Sequence, residues 1–312
     1  MNIEIVGIGI ATVDHLYLLE DASELPEGSL LDHSIQGGGM AATAMAAAAR
    51  LGAHCAAVLT VGSDDRGTHV LQELRTMGVD VSLCSSKPGV TPLVTVLVDA
   101  QTGERHFLPL KCESPRPGPE DVDWDRVREA NVFLLDSWTS EPEGILRRAQ
   151  EENLTTLVDK EFQPGDEPAW VGEVDIYIGG GDRPRWRDDP ENALNEAARI
   201  LDLGPHTAIL TLGSEGCVGI GPEGTFRIPG LQVDVVDTCG TGDVFRGAYA
   251  WSLEQGWRAR HCATFASGTA ALSATGLGGR AALPAAHEVA DLLVWNDLEG
   301  PWTELLEAGE EE

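Results

Sequence analysis

A glycine-rich turn between two acidic residues stands out near position 240, in the sequence DTCGTGD. The β-prone run Val233–Val236 precedes the turn and the helix-forming run Phe245–Leu253 follows it, so the turn is predicted to open a helix. The first N–H groups of a helix have no partner inside the helix and lie at the positive end of its dipole. Glycines let the backbone approach an anion closely. The segment therefore predicts an anion-binding cradle of the kind that holds phosphate.

Asp243 ends this segment and falls in the first turn of the predicted helix, beside the cradle. A carboxylate next to a phosphate site is normally repelled, and its position makes sense if it accepts the proton of a hydroxyl group that attacks the phosphate. The simpler interpretation is that the helix dipole favours an acid in a first turn. Taken alone, the residue is better explained by the dipole, and only further motifs favour catalysis.

The elements that would position this turn alternate along the chain. From Trp124 onward, strand-like and helix-like segments follow one another, and this rhythm predicts βα units and a mostly parallel sheet in an α/β fold. The segments are Val132–Leu135, Glu143–Glu152, Thr155–Val158, Val174–Ile178, Asn192–Leu201 and Ala208–Leu212. No repeat or long linker divides the sequence, so residues 1–312 are predicted to form one domain.

Two β-prone regions, residues 10–35 and 91–112, do not fit this rhythm. We expect them to form a small accessory sheet that covers a site as a lid. Between them, residues 36–52 read as three glycines followed by an alanine-rich helix, because alanine is the strongest helix former. The Glu-rich end, residues 307–312, is expected to be a disordered tail.

Charge limits the possible partners. The chain contains 51 acidic and 21 basic side chains, which gives a net charge of −30. Such a surface repels phosphate backbones, so nucleic-acid binding is disfavoured. The acidic surface promotes solubility, or it reflects adaptation to a salt-rich cytoplasm in which screening removes the self-repulsion. An unfolding midpoint that did not rise between low and molar salt would contradict the second hypothesis.

The composition also favours the cytoplasm as the location. The six cysteines are scattered without a CxxC pair, as expected of free thiols in a reducing compartment. No stretch approaches the roughly 20 apolar residues of a membrane span. The N-terminus carries Glu4 and no basic region before an apolar stretch, which argues against a secretory signal.

Several motifs together resemble one enzyme family. DTCGTGDVFRGA resembles the second signature of the ribokinase/PfkB carbohydrate kinases, whose usual form is DTxGAGDxFxxG, and the stretch 36–81 resembles the first signature. The resemblance extends over nearly the whole chain through GER at 103–105, TLGSEGC at 211–217 and GLGGRAALP at 276–284. Within the family, the sequence is most similar to the sulfofructose kinase and ketohexokinase branch.

This resemblance implies a three-layer α/β core with a small β-sheet lid, and ATP-dependent phosphorylation of a hydroxyl on a sugar or sugar-like molecule. It implies ATP and Mg²⁺ as cofactors, allows K⁺, and suggests a homodimer formed through the lid. Residues are carried over by position. Asp243 corresponds to the catalytic base, Gly240, Thr241 and Gly242 to the anion hole, Asp14, Gly37 and Gly38 to the acceptor site, and Thr211, Gly213 and Gly216 to the ATP site.

The sequence also departs from the family pattern. Thr241 replaces the usual alanine of the anion hole, and Ala42 stands where many sugar kinases have a substrate-binding asparagine. The NxxE motif near magnesium is missing, which leaves Asp159 and Glu161 as weak candidates for the metal. Asp237 is a weak candidate for a monovalent cation.

Basic residues near these motifs are candidates for acceptor specificity. Arg246 follows Asp243 by three positions, which places both on one helical face. Its guanidinium suits forked binding of a phosphate, sulfonate or carboxylate. A surface arginine paired with a nearby acid is an equally good interpretation in a chain of this charge. Arg105 and Lys111, on the predicted lid hairpin, are the other candidates.

Three alternatives stay open at this point. Gly7-x-Gly9-x-x-Thr12 resembles a degenerate dinucleotide-binding loop, although the following segment, Val13–Leu19, reads as a strand rather than a helix. A nucleoside kinase of the same fold would explain Ala42. A non-catalytic, sugar-sensing relative would explain the missing metal motif, but the retained Asp243 argues against it.

Overall fold

The fold is seen in a computed structural model that describes residues 2–22, 29–101, 105–136, 138–159, 166–180 and 189–309. In chain order the strands are β1 (Ile5–Gly9), β2 (Thr12–Leu19), β3 (Leu30–Gly38), β4 (Cys55–Gly62), β5 (Ser85–Lys87), β6 (Leu93–Asp99), β7 (Arg105–Pro109), β8 (Val132–Asp136), β9 (Thr155–Asp159), β10 (Ile176–Gly180), β11 (Thr207–Thr211), β12 (Cys217–Gly221) and β13 (Gly224–Ile228). The α-helices are α1 (Met40–Arg50), α2 (Asp65–Thr76), α3 (Trp124–Val127), α4 (Pro142–Glu151), α5 (Pro190–Leu201), α6 (Thr241–Glu254), α7 (Ala259–Ser273), α8 (Ala286–Trp295) and α9 (Glu304–Gly309).

The larger sheet runs in the order β13-β12-β11-β10-β9-β8-β1-β4-β5 within the described chain. Its strands from β11 to β5 are parallel, and β12 and β13 extend it as an antiparallel hairpin at one edge. Parallel strands are buried on both faces and therefore read as continuous apolar runs. The α/β fold with a mostly parallel sheet, predicted from the alternating segments, is confirmed.

Helices cover both faces of this sheet. Ile5 of β1 packs into a core with α1, α6, α7 and α8, whereas Val6 and Ile8 pack into a second core with α3, α4 and α5. Small side chains let α1 and α6 approach closely, because a Cβ at Gly247 would lie 2.1 Å from Ala44 O. This contact fixes the position of α6, whose first turn carries Asp243.

The smaller sheet has the order β3-β2-β6-β7 and is built from the two regions that did not fit the βα rhythm. β2 and β6 are parallel, and the two outer strands pair antiparallel to them. The inner side of this sheet packs through Leu16, Val96 and Val98 against Cys239 and Leu277. The small sheet therefore lies against the glycine turn, and its movement as a lid stays a prediction.

Some sequence predictions were wrong in detail. Val233–Val236 is not a strand: Val235 is 57% exposed, and the N–H groups of Val236 and Asp237 donate instead to Ala274 O, just after α7. No neighbouring strand within the described residues is available to pair with this run. The alanine-rich helix, in contrast, follows the three glycines as predicted and begins at Met40.

The dinucleotide-loop alternative also fails. β1 is followed by strand β2 rather than by a helix, so no helix start faces a bound pyrophosphate. The two glycines have packing reasons instead. A Cβ at Gly7 would lie 2.7 Å from Met45 Cγ, and one at Gly9 would lie 2.3 Å from Asp136 Cβ.

The remaining predictions concern the chain ends and the thiols. All six cysteines are free. Among the described residues, no helix is both long and apolar enough to cross a membrane. Helix α9 extends into the predicted tail as far as Gly309, and residues 310–312 lie outside the described part of the chain.

Candidate active site

The glycine turn opens α6. Gly240 precedes the helix with φ 73°, in the left-handed region that favours glycine. The N–H of Thr241 makes a long hydrogen bond of 3.4 Å to Thr238 O, and the Thr241 hydroxyl donates to the same oxygen at 3.0 Å. Within the described chain, the N–H of Gly242 has no acceptor. At least this amide, at the positive end of α6, is available to an anion.

Asp243 and Arg246 lie on one face of α6, with 3.5 Å between Asp243 Oδ1 and Arg246 Nη1. The arginine side chain is 7% exposed, and its Nε also donates to Ile178 O at 3.4 Å. The position of the guanidinium is therefore set by both the large sheet and the helix. This buried cation holds the carboxylate beside the turn and offsets part of its charge.

A cavity of about 720 Å³ opens on Asp243 and is called the acceptor cavity below. Its wall includes Asp14, Gly37, Gly38 and Thr43. These residues come from β2, β3 and α1, which are distant in sequence from α6. The small sheet and the first helix thus bring the predicted acceptor residues to the predicted base.

Asp14 is held rigidly in this wall. The Thr12 hydroxyl donates to Asp14 Oδ1 at 2.7 Å, and burial raises the pKa of the Asp14 carboxyl. A Cβ at Gly38 would lie 2.0 Å from Asp14 Oδ2, so only glycine fits there. Carboxylate oxygens in such a position can accept hydrogen bonds from hydroxyl groups of a ligand.

Arg280 supports the same wall from behind. Its side chain is 1% exposed; Nη1 lies 3.0 Å from Glu73 Oε1, and Nη2 donates to Gly38 O at 2.9 Å. Glu73 Oε2 accepts the N–H of Gly37 at 2.8 Å. Burial lowers the pKa of the Arg280 guanidinium, and the charges of Glu73 and Asp14 oppose this effect. The glycine pair is therefore clamped between one arginine and one glutamate.

Asp136 joins three other parts of the cavity wall. Its Oδ2 accepts the N–H of Ile10 at 3.2 Å and of Ala41 at 3.4 Å, and its Oδ1 accepts the N–H of Trp138 at 2.6 Å. Complete burial raises the pKa of this carboxyl to about 6, and the negative charge of Asp243 acts in the same direction. Asp136 is thus a positioning residue for loops that line the cavity.

A second cavity, of about 590 Å³, shares Gly240, Asp243 and Arg246 with the acceptor cavity. It is called the nucleotide-side cavity below. Its other lining residues include Thr211, Gly213, Gly216, Thr241 and Gly242. The residues predicted for ATP line this cavity, whereas Asp14, Gly37 and Gly38, which were predicted for the acceptor, line the first. Ligands in the two cavities would meet at Asp243.

The two lid cations do not line the acceptor cavity. Arg105, at the start of β7, lines the nucleotide-side cavity, whereas Phe107 lines the acceptor cavity. Residues two apart on a strand face the same side about 7 Å from each other, so β7 crosses from one cavity to the other. Lys111 lies beyond the end of β7, is exposed and lines neither cavity.

The predicted cation ligands differ in their surroundings. Asp237 is buried; its Oδ1 accepts the N–H of Cys239 at 2.8 Å and its Oδ2 that of Gly278 at 2.9 Å. Asp159 ends β9 in register with Asp136, and Glu161 lies outside the described residues. In the described ranges no group of three His, Cys, Asp or Glu residues could hold a metal ion. A protein-held metal stays a prediction.

Comparison with protein families decides the identity. Residues 3–157 and 169–286 match the model for pfkB family carbohydrate kinases. The chain belongs to this family. The predicted family and enzyme class are thereby confirmed, while the sulfofructose kinase and ketohexokinase branch is not singled out and stays a prediction.

Two curated relatives of this pfkB kinase are each 30% identical to it. The ATP-dependent ribose-1-phosphate kinase of Halopiger xanaduensis matches over 272 residues, which are 86% of this chain and 90% of the relative. The aminoimidazole riboside kinase of Salmonella typhimurium matches over 240 residues, 70% of this chain and 74% of the relative.

Solved structures show the same fold. The ribokinase of Thermotoga maritima superposes with a TM-score of 0.75 at 23% identity, and covers 94% of this chain and 99% of its own. The Arabidopsis thaliana ribokinase complexed with ribose and ATP gives 0.77 at 20% identity, with the same coverage. At these identities the likeness concerns the fold of the pfkB kinase.

Sequence reasoning missed several residues of the candidate site. Arg280 lies in the quoted GLGGRAALP motif, where a charged residue among glycines was a usable signal. Asp136 ends the apolar run VFLLD, which also marks a carboxylate at a strand end. From α1, Met40 and Thr43 line the cavity, whereas Ala42 is fully buried. No sequence signal indicated Arg116 or Trp138, which also line it.

Proposed function

We propose that this pfkB kinase transfers the γ-phosphoryl group of ATP to a hydroxyl group of a sugar or sugar-like molecule, with Asp243 as the base. One observation carries the proposal: Asp243 lies where the acceptor cavity and the nucleotide-side cavity meet, beside the glycine turn that opens α6. A carboxylate at the junction of two ligand cavities is explained by proton transfer, whereas a dipole effect alone requires no cavity.

In this mechanism Asp243 takes the proton of the acceptor hydroxyl as its oxygen attacks the γ-phosphorus. A new O–P bond forms, the bond from phosphorus to the bridging β-phosphate oxygen breaks, and ADP leaves with that electron pair. The amides of the turn, including that of Gly242, donate to the phosphoryl oxygens while their charge develops. Arg246 keeps the carboxylate in place through the 3.5 Å contact.

ATP fits the nucleotide-side cavity. The cavity combines the start of α6 with the turn at Gly213 and Gly216, and Gly216 has φ 88°. The relative from Halopiger xanaduensis is named as ATP-dependent. Mg²⁺ bound to the nucleotide would supply charge neutralisation. Asp159 is the protein ligand that we propose for Mg²⁺. A K⁺ site near Asp237 is a separate hypothesis, which predicts a lower rate in an assay without K⁺.

The acceptor is proposed to bind between Asp14 and the glycine pair 37–38, so that one hydroxyl reaches Asp243. Both curated relatives have ribose-containing substrates in their names, which favours a pentose or riboside. A nucleoside kinase is therefore the second candidate. Ala42 is fully buried and offers no polar group. Thr43 and Asp14 are therefore the side chains proposed to form hydrogen bonds with the hydroxyl groups of the acceptor.

Closure and dimerisation are further proposals about the small sheet. Its outer strands and the residue after β7 expose large apolar side chains, namely Leu30, Leu31, Ile35, Phe107, Leu108 and Leu110. Pairing of two such sheets would bury this surface and complete a lid that excludes water. A sedimentation measurement that found only monomers at assay concentration would contradict the dimer.

The test is ATP-dependent phosphorylation measured over a panel of pentoses, hexoses, sugar phosphates, sugar acids and nucleosides. We expect one class to be phosphorylated. Asp243→Asn should lower kcat by roughly three orders of magnitude, with ATP binding retained. Asp65→Asn, an acid in the first turn of α2, is the matched control and should keep full activity. Binding of acceptors without any transfer would instead favour a sensing protein.

A further inference from the structure

Arg116 and Trp138 form a distinct part of the acceptor cavity. The guanidinium carbon of Arg116 lies 5.0 Å from the centroid of the Trp138 ring, in a cation–π arrangement. Both residues line the acceptor cavity together with Phe107. Trp138 is 46% exposed and Phe107 is 53% exposed, so these three side chains make up the solvent-facing side of the cavity, called the outer wall below.

Arg116 differs from the other arginines at this site in its charge balance. Arg246 lies beside Asp243, and Arg280 is paired with Glu73. Across the described residues, no carboxylate forms an ion pair with Arg116; its described contact is with the tryptophan ring. In a chain with 51 acidic side chains, an arginine that lines a cavity without an acid partner is a cation available to a ligand.

The backbone holds the outer wall in place. Pro117 O accepts the N–H of Ser140 at 2.8 Å and the Ser140 hydroxyl at 3.2 Å. The N–H of Trp138 donates to buried Asp136. The segment that carries Arg116 is therefore tied to the segment that carries Trp138. A guanidinium stacked on a ring keeps its edge N–H groups free for forked binding of an oxyanion.

We propose that Arg116 and Trp138 form an anion subsite, and that the acceptor of this kinase already carries a phosphate group. The inference rests on the proposed function, because it names the class of acceptor for the same site. The phosphate would lie at the outer wall while another hydroxyl of the same molecule faces Asp243. The surface charge of −30 repels such a dianion, and a local cation inside the cavity offsets this repulsion.

Matched acceptors that differ by one phosphate test the subsite. Rates are measured for ribose, ribose 1-phosphate and ribose 5-phosphate, with ribonate as the carboxylate comparison. The variants are Arg116→Ala and the control Arg227→Ala, which removes one positive charge from exposed Arg227 on the edge strand β13. We expect Arg116→Ala to lower kcat/KM for the preferred phosphorylated sugar by roughly ten- to a hundredfold and that for ribose much less, whereas Arg227→Ala should change neither.

Other outcomes overturn the inference. Equal losses for ribose and its phosphates in Arg116→Ala would assign the residue a structural role, and a preference of the native enzyme for ribose or ribonate would reject a phosphorylated acceptor. Binding is measured separately by calorimetry, with ribose 1-phosphate and ribose 5-phosphate added to Asp243→Asn and to Asp243→Asn/Arg116→Ala. If nothing is phosphorylated but Arg116 still determines this binding, the subsite stands and the proposed function fails. If neither sugar phosphate binds more weakly to the double variant, the subsite itself is rejected.

Discussion

Arg280 Nη1 lies 3.0 Å from Glu73 Oε1, and this partly buried ion pair joins residues 207 positions apart in the sequence. This ion pair lies behind Gly37 and Gly38. Glu73 accepts a hydrogen bond from the N–H of Gly37, and Arg280 donates one to the carbonyl oxygen of Gly38. Helix α2 and the loop before α8 thereby set the shape of the acceptor wall, although neither carries a residue that touches the proposed phosphoryl group. Glu73 and Arg280 are therefore positioning residues.

Replacement of Glu73 by glutamine should separate positioning from general packing. Glu73→Gln removes the carboxylate that pairs with Arg280, and we expect it to lower the free energy of unfolding by about 3 kcal/mol. It should raise the acceptor KM roughly tenfold, because the glycine pair loses its anchor, while the KM for ATP stays the same. Denaturant unfolding and initial-rate kinetics check both values.

The control for this change is Glu288→Gln, which breaks the exposed pair of Glu288 with Arg50. We expect little change in stability or rate, since exposed pairs contribute at most about 1 kcal/mol. If Glu73→Gln altered both KM values equally, the selective role at the acceptor wall would be refuted.

Gly240 and Gly256 offer a matched pair at the two ends of α6. Their φ values are 73° and 71°, so an alanine costs about 1 kcal/mol of backbone strain at either position. A Cβ at Gly240 would also lie 2.8 Å from Gly279 Cα, whereas one at Gly256 meets nothing within 4 Å. We expect only Gly240→Ala to lower kcat, by at least about tenfold, because it displaces the anion cradle.

Stability and kcat measured on both glycine variants decide this point. If Gly256→Ala reduced kcat as strongly as Gly240→Ala, the loss would reflect strain in α6 and not the cradle.

Asp136 should make stability depend on pH. Burial raises its pKa from the ordinary value of 3.8 to about 6. The native state therefore binds the proton more tightly than the unfolded state does, and this contribution to stability is complete below about pH 4 and lost as the pH rises through 6. The free energy of unfolding of the native chain relative to Asp136→Asn should fall by up to about 3 kcal/mol between pH 4 and 7.

Urea unfolding of both proteins at several pH values measures this difference. The contributions of the titratable groups that the two proteins share cancel in it. A difference that stayed constant, or that grew with pH, would show that Asp136 does not titrate in this window.

Arg105 should act on the nucleotide and not on the acceptor. It lines the cavity that also contains Gly242 and Thr211, so Arg105→Ala is expected to raise the KM for ATP roughly tenfold and to leave the acceptor KM unchanged. Lys111→Ala is the control, because this exposed residue follows the same strand and lines neither cavity. A rise in the acceptor KM alone would instead support the role in acceptor specificity that the sequence predicted for Arg105.

Much of the local structure was determined by the sequence itself. The glycines before Asp243, the alanine run of α1 and the alternating apolar segments specify a helix start, a helix and a parallel sheet through short-range preferences and periodicity. For the same reason, the position of Asp243 in a first helical turn was predictable. The family signatures added roles to these positions, because their order along the chain is preserved.

Only the tertiary structure decided which side chains meet. Val233–Val236 has strand-forming residues, yet no strand of the described residues pairs with it, and the N–H of Val236 bonds to Ala274 O, just after α7. Arg105 and Phe107 lie two positions apart on β7 and face the same side of it, but the strand passes from one cavity to the other, so the two side chains line different cavities. The clamp of Glu73 and Arg280, like the stack of Arg116 on Trp138, depends on how distant elements pack. Pairing across such distances is set by the packing of whole elements, and residue type and spacing along the chain contain no information about it.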